Sequence, residues 1–168
     1  MLSAAKHLNV QRVDPSPAQD DIQGAQIAKR SVLMSTPLSD KARAFLQERR
    51  FAVLGTLNKN GSPQLTTMWY LLEGDTILMN TKAGRVKERN MRRDPRISVC
   101  VTNGYDYVSI SGRVEMIDDP QVSQRDIYRL ATRYDGEASA RQQMEKQFSQ
   151  ETRVTLRLKC EHVIEKIE

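Results

Sequence analysis

Short, turn-forming links between β-type segments are the feature that most restricts the fold of this chain. Asn58-Lys59-Asn60-Gly61, Glu73-Gly74-Asp75 and Asn103-Gly104 each separate two segments rich in apolar and β-branched residues. Gly and Asn accept the left-handed backbone that tight hairpin turns need. Links this short join antiparallel strands, because a parallel pair needs a crossover of a dozen or more residues. The sequence therefore predicts a mainly antiparallel sheet.

The segments between and beyond these turns predict about six strands and three or four helices. Thr36 is expected to cap the first helix, and His162 to be packed within the last strand. A sheet of this kind closes most readily into a barrel, so the predicted fold is mainly β (α+β), a split β-barrel with peripheral helices. Strands are expected at 51–57, 64–72, 76–81, 96–102, 105–117 and 153–167, and helices at 36–47, 84–93, 120–134 and 138–149.

One folded domain is the default for a chain of 168 residues, which is long enough to bury one core. Residues 1–35 are polar, and Asp14-Pro15-Ser16-Pro17 interrupts any early helix, although a short amphipathic helix could form within 18–34. We therefore predict an N-terminal extension at 1–35, mobile or clasping a partner subunit, followed by the barrel domain at 36–168.

The sequence points neither to a membrane nor to an oxidising compartment. Its apolar runs fall short of the ~20 residues of a membrane span, and its N-terminus lacks the apolar core of a secretory signal. Cys100 and Cys160 are far apart in the sequence, and both lie in predicted strands. They are expected to be buried free thiols in a reducing cytoplasm, where we expect this protein to be located.

The excess positive charge is concentrated in residues 82–96, which hold seven Lys or Arg and two Asp or Glu, while the rest of the chain has 19 of each kind. Lys82, Arg85 and Lys87 lie at the predicted start of a helix, where the helix dipole disfavours cations. A bound anion, most commonly a phosphate, would reverse this penalty because the unpaired N–H groups of the helix also favour it. A solvated basic helix face is the alternative, and charge alone does not decide between the two.

Groups for acid–base or metal chemistry are scarce in this sequence. His7 and His162 are the two histidines, and neither has an evident partner for nucleophilic catalysis. No cluster has zinc-ligand spacing and no glycine-rich phosphate loop occurs, so we predict no metal site and assign no catalytic residue. Asp118 and Asp119 are expected to cap a helix. Binding groups without acid–base groups indicate that the reactive atoms belong to a cofactor.

Two motifs carry a resemblance to a known family: Asn-Gly-Ser-Pro-Gln-Leu-Thr-Thr-Met-Trp-Tyr at 60–70 and Gly-Arg-Val-Lys-Glu-Arg-Asn-Met-Arg-Arg-Asp-Pro-Arg at 84–96. Together they resemble the pyridoxamine 5′-phosphate oxidase-like superfamily, and within it the deazaflavin (coenzyme F420)-dependent oxidoreductases of FMN-binding-like split β-barrel fold. The similarity extends over roughly residues 38–167. It implies a homodimer with two cofactor sites at the subunit interface, and hydride transfer between the deazaflavin and a conjugated small molecule.

The resemblance also implies a set of cofactor-binding positions. Arg85 and Lys87 match the phosphate-binding pair, residues 64–67 match a strand along the cofactor ring, and the two tyrosines match aromatic pocket positions, from the same or the other subunit. The full set is Gln64, Leu65, Thr66, Thr67, Asn80, Thr81, Arg85, Lys87, Asn90, Tyr105 and Tyr107.

The resemblance leaves the cofactor open between F420 and FMN, since both present a ring and a phosphate. Arg89, Arg92 and Arg93 could meet the glutamate tail of F420, which favours that cofactor. Arg153 and Arg157 are the only late basic candidates for a second phosphate, on the strand face away from the core, and vitamin B6 oxidation is therefore not favoured. A non-catalytic flavin or tetrapyrrole binder is a further alternative. A nucleic-acid binder is disfavoured by an aromatic content of 5% and the lack of a base-stacking motif.

Overall fold

Antiparallel pairing joins all the strands in residues 38–168, the part of the chain that the computed structural model describes. The strand order is β2-β1-β5-β6-β7-β4-β3, and β8 pairs with β6. β6 pairs with β5 and β8 through its first part and with β7 through its last four residues. The strands are β1 (Ala52–Leu57), β2 (Pro63–Met68), β3 (Leu71–Glu73), β4 (Thr76–Lys82), β5 (Arg96–Asn103), β6 (Asp106–Ile117), β7 (Arg153–Lys159) and β8 (His162–Lys166).

Within residues 38–168, four α-helices and one 3₁₀ turn accompany this curled sheet. They are α1 (Asp40–Gln47), α2 (Val86–Arg93), α3 (Pro120–Asp135), α4 (Glu137–Lys146) and the 3₁₀ turn Phe148–Gln150. The mainly β fold predicted from the turn pattern, a split β-barrel with peripheral helices, is confirmed. No helix in residues 38–168 is both long enough and apolar enough to cross a membrane.

Two apolar clusters hold the elements together. The larger one fills one face of the sheet and includes Leu46 of α1, Leu54, Met79, Ile110 and Leu156. The smaller one lies on the other face of β4 and β7, where α3 and α4 pack. Its buried members are Leu78, Ile127, Leu130, Ala131, Ala140 and Phe148.

Several predictions about element limits were wrong. The helix predicted at 84–93 begins at Val86, and the helix predicted at 138–149 ends at Lys146, before the 3₁₀ turn. The helix predicted at 36–47 begins at Asp40. Its N-cap is Ser39, whose hydroxyl accepts a hydrogen bond from the Ala42 N–H at 3.0 Å. Thr36 and the helix proposed within 18–34 lie outside the described residues. The strand predicted at 64–72 is interrupted, because the Tyr70 N–H donates to the Tyr134 hydroxyl at 3.2 Å rather than to a neighbouring strand.

The strand predicted at 153–167 is also two strands, because the chain leaves β7 at Cys160 and pairs again as β8 with the first part of β6. His162 is exposed there, contrary to the prediction that it is packed. Cys160 is buried, as expected, and Cys100 is half-buried. Burial, helped by the charge of Asp75, raises the pKa of the Cys160 thiol to about 11, so this thiol is protonated at neutral pH.

Asp119 caps α3, as predicted, by accepting hydrogen bonds from the N–H groups of Gln121 at 2.8 Å and Val122 at 3.2 Å. We expect Asp119→Ala to lower the free energy of unfolding by about 1 kcal/mol, the usual loss for a capping side chain. Asp118→Ala is the matched control, because this exposed neighbour forms only a surface ion pair with Arg92 and should cost less. Equal losses in urea denaturation would contradict the capping role.

Candidate functional site

A pocket of about 230 Å³ opens where the ends of β2 and β4 meet the start of α2 and the helices on the outer face of β4 and β7. One part of its wall is basic and polar, and the rest is apolar and aromatic. The lining residues are Phe51, Thr67, Met68, Trp69, Asn80, Thr81, Arg85, Lys87, Ile127, Leu130, Gln147, Phe148 and Arg153.

Three cations converge on the basic part of the wall: Arg85, Lys87 and Arg153. Gly84, with a φ of 81°, turns the chain from β4 into α2 and so brings Arg85 and Lys87 to the pocket. Lys87 is only 6% exposed, and within residues 38–168 no carboxylate pairs with it. Burial, together with the charges of Arg85 and Arg153, lowers the pKa of Lys87. The site therefore carries an electrostatic cost that a bound anion would offset.

Arg153 also lines the pocket, and this position was not predicted from the sequence. Its strand face points away from the main core, as predicted, but α3 and the 3₁₀ turn cover that face and leave Arg153 only 7% exposed. Its Nε donates to the Asn80 Oδ1 at 2.9 Å and its Nη1 to Glu151 at 2.6 Å. Its guanidinium also lies 5.0 Å from the centre of the Phe148 ring. These contacts hold the guanidinium in one orientation.

A buried chain of hydrogen bonds supports Arg153 from behind. The Asn80 amide donates to the Ser123 carbonyl at 2.9 Å and to the Thr155 hydroxyl at 3.3 Å. The Thr155 hydroxyl in turn donates to Asp126 at 3.1 Å, and Asp126 is fully buried. Because the amide nitrogen of Asn80 is committed to these acceptors, its oxygen faces Arg153.

The Thr81 hydroxyl is a buried polar group at the edge of the pocket. The Thr81 residue is 2% exposed and lines the pocket, yet its hydroxyl has no hydrogen-bond partner within residues 38–168. An unsatisfied buried hydroxyl costs roughly 1–3 kcal/mol. A ligand oxygen beside Arg85 and Lys87 would satisfy it, so the residues present fit a phosphate-bearing group.

The aromatic wall is held rigid by Tyr134, which lies behind the pocket. The rings of Phe51 and Trp69 each stack on the Tyr134 ring with centroids 5.3 Å apart. The Tyr134 hydroxyl is fixed by donation to the Arg50 carbonyl. Flat, preorganised apolar surfaces of this kind suit a planar ring.

The pocket gathers five of the positions predicted from the resemblance, namely Thr67, Asn80, Thr81, Arg85 and Lys87. Gln64, Leu65, Thr66, Asn90, Tyr105 and Tyr107 lie outside its lining.

Asn90 and Gln64 belong to a partly buried amide cluster. The Asn90 Nδ2 donates to Thr56 at 3.2 Å, to Asn58 at 3.0 Å and to Gln64 at 3.1 Å. These bonds tie α2 to the β1–β2 hairpin and so position the helix that carries Lys87.

Of the remaining positions, Thr66 and Tyr107 are half-buried, whereas Leu65 and Tyr105 are exposed. Leu65 is 69% exposed and Tyr105 is 91% exposed. The three arginines considered for a glutamate tail already have partners within the chain: Arg89 donates to the Gly84 carbonyl, Arg92 pairs with Glu88 and Asp118, and Arg93 donates to the Leu57 carbonyl.

The protein is thus a split β-barrel whose pocket joins an aromatic wall to a basic end. Residues 38–166 match the family model described as pyridoxamine 5′-phosphate oxidase. The chain therefore belongs to the pyridoxamine 5′-phosphate oxidase family.

Named relatives agree with this placement. An F420H(2)-dependent biliverdin reductase from Mycobacterium tuberculosis is 30% identical over 102 residues, covering 60% of this chain and 74% of that protein. A conserved hypothetical protein from the same species is 28% identical, with a TM-score of 0.62 over 79% of this chain and 86% of its own. A structure named F420 Reductase is 24% identical, with a TM-score of 0.59 over 73% of this chain and 94% of its own, and supports the fold. The resemblance to the F420-dependent branch is confirmed.

Thr155 provides a test of the buried chain of hydrogen bonds. We expect Thr155→Val to lower the free energy of unfolding by about 1–3 kcal/mol, because Asn80 loses an acceptor and Asp126 a donor at nearly unchanged volume. The matched control is Thr132→Val, which removes a single half-buried bond to the Tyr128 carbonyl and should cost less. Thermal unfolding that ranks the two variants in the opposite order would contradict this network.

Proposed function

We propose that this protein is an F420-dependent oxidoreductase that transfers a hydride between a deazaflavin and a conjugated small-molecule acceptor. The observation that carries the proposal is the convergence of three cations and the unpaired Thr81 hydroxyl at one end of an aromatic-walled pocket. The relative named as an F420H(2)-dependent biliverdin reductase supports both the cofactor and a conjugated acceptor.

In this proposal, Arg85, Lys87 and Arg153 hold the cofactor phosphate by charge-assisted hydrogen bonds, and the Thr81 hydroxyl adds a further donor. The first N–H groups of α2 have no side-chain cap and favour an anion at the same place.

Thr67, Trp69 and Phe51 line the side of the pocket proposed for the ring and the acceptor. Ile127, Leu130 and Phe148 make the opposite wall apolar and exclude water from it. Bound F420 would supply the hydride chemistry. The contribution of the chain is therefore to orient donor and acceptor rather than to move protons.

FMN is the second candidate, and one observation favours it. Glu151 pairs with Arg153, so about two positive charges remain uncompensated at the basic end. That charge suits a phosphate monoester, which carries about −1.5 to −2 near neutral pH.

A non-catalytic binder of flavin or tetrapyrrole would use the same pocket and would bind its ligand without turnover.

A side-by-side titration of the purified protein with F420 and FMN tests the proposal. We expect tighter binding of F420, and a loss of about 10- to 100-fold in affinity for Lys87→Ala, the value of one buried charge-assisted hydrogen bond. Arg85→Lys should also weaken binding, because lysine cannot form a bidentate fork. Lys59→Ala, in the exposed β1–β2 turn, removes the same charge away from the pocket and should bind normally.

Thermal unfolding of the empty protein separates binding from folding in these variants. Removal of a buried cation with a lowered pKa should leave stability unchanged or raise it. A Lys87→Ala protein that binds cofactor normally but melts several degrees lower would make Lys87 a structural residue. Preferential binding of FMN would contradict F420 as the cofactor and would favour FMN, the second candidate.

We also propose a homodimer in which Tyr105 and Tyr107 of one subunit reach the other subunit's pocket. The outer face of β1, β2 and β8 exposes three apolar side chains, Val53 (37% exposed), Leu65 (69%) and Ile164 (63%). Exposed apolar side chains grouped on one face are typical of a protein–protein interface. We expect sedimentation equilibrium to give a dimer at micromolar concentration, and Leu65→Glu to weaken it by placing a charge in the apolar face. A monomeric wild-type protein would contradict this arrangement, as would a dimer whose dissociation constant does not change with Leu65→Glu.

A further inference from the structure

A second concave site lies on the outer face of the sheet, away from the pocket. It has a volume of about 290 Å³ and is lined by Thr76, Arg113, Glu115, Arg157 and Lys159. Thr76 pairs with Lys159 across β4 and β7, and Glu115 pairs with Arg157 across β6 and β7. Thr76 is four residues from Asn80 of the first pocket, which is on the order of 14 Å along an extended strand. The two sites are therefore separate.

The charges in this second site are unbalanced. It contains three cations and one carboxylate, Glu115. Within residues 38–168, none of the three cations forms an ion pair, although Glu115 lies directly across from Arg157. By contrast, Arg129 on the neighbouring helix α3 is paired with both Glu73 and Asp126. Like charges gathered in a concave surface concentrate a positive field.

Arg157 supplies the second, independent observation. Its Nε is buried from solvent and has no hydrogen-bond acceptor in the structure. A guanidinium N–H is an obligatory donor, and its neighbouring N–H groups form a planar fork that matches an oxyanion. An anion lying in the concave site would pair with the outer N–H groups of this guanidinium and would also meet Lys159, Arg113 and the Thr76 hydroxyl.

We propose that the site formed by Thr76, Arg113, Glu115, Arg157 and Lys159 binds a compact oxyanion that carries at least two negative charges, a diphosphate or a polycarboxylate. Three cations and one carboxylate leave about two positive charges to be matched. The volume of about 290 Å³ is adequate for such a ligand. Binding here does not depend on the first pocket or on the function proposed for it.

Titration of the full-length protein with pyrophosphate and with citrate, at constant ionic strength, tests this site. Calorimetry gives the affinity, and the ¹⁵N resonance of the Arg157 Nε–H group reports contact directly. We expect saturable binding of at least one of the two anions with a shift of that resonance, and the preferred anion identifies phosphate or carboxylate as the ligand chemistry. No binding of either anion, or binding without a shift of that resonance, would overturn the proposal.

Variants that are expected to change the anion affinity in opposite directions make the test stricter. Arg157→Ala should weaken binding about tenfold or more, and Arg157→Lys should recover only part of it because the fork is lost. Glu115→Gln should tighten binding, since it removes the one carboxylate. Arg141→Ala, which deletes a positive charge from an exposed pair on α4, should leave the affinity unchanged.

Lys87→Ala serves as the background for these measurements, because it weakens any anion binding to the first pocket and leaves the residues of the second site intact. We expect this variant still to bind the preferred anion and to show the shift of the Arg157 Nε–H resonance. Thermal unfolding of every variant excludes loss of fold as the cause of a change in affinity. Anion binding by Lys87→Ala that survives the added substitution Arg157→Ala, or a resonance shift that disappears in Lys87→Ala, would show that the second site is not the one occupied.

Discussion

The burial of β4 on both of its faces is the constraint on which the other features of the site depend. Ile77 and Met79 enter the main core from one face, while Leu78 packs against α3 from the other. A strand enclosed in this way cannot move its end, so the residues that follow it begin from a fixed position. Asn80, on the same strand, is also buried, so its amide needs hydrogen-bond partners within the protein. The Ser123 carbonyl and the Thr155 hydroxyl accept these bonds.

This enclosure also explains how the basic end of the pocket is held although Glu151 neutralises only one of its three cations, Arg153. Lys87 and Arg153 are buried beside Arg85, and each charge opposes the others. Such an arrangement is tolerated when the surrounding fold supplies enough stability to hold it, and it prepares the site for an anion without reorganisation. The apolar packing of α3 against β4 thus offsets the electrostatic cost that makes the site useful for binding.

Much of the fold could be predicted from the sequence, because turn chemistry and strand alternation are local properties. The position of Arg85 and Lys87 was also accessible, since both lie within one short motif. Arg153 was not, because its place in the pocket depends on the register between β7 and β4 and on the helix that covers that face. The interruption at Tyr70 was hidden for the same reason: its backbone partner, Tyr134, is 64 positions away.

Strand β6 is shared by both parts of the sheet, and it changes partner at Gly112 and Arg113. A side chain at Gly112 would place its Cβ 3.1 Å from the Leu158 Cδ1, so the two parts meet there in close contact. One continuous strand therefore sets the alignment of both parts. An insertion of one residue near Gly112 would turn every later side chain of β6 to the opposite face and would put β7 out of register with β5. Loops at the strand ends can vary in length during evolution, whereas the length of this strand cannot.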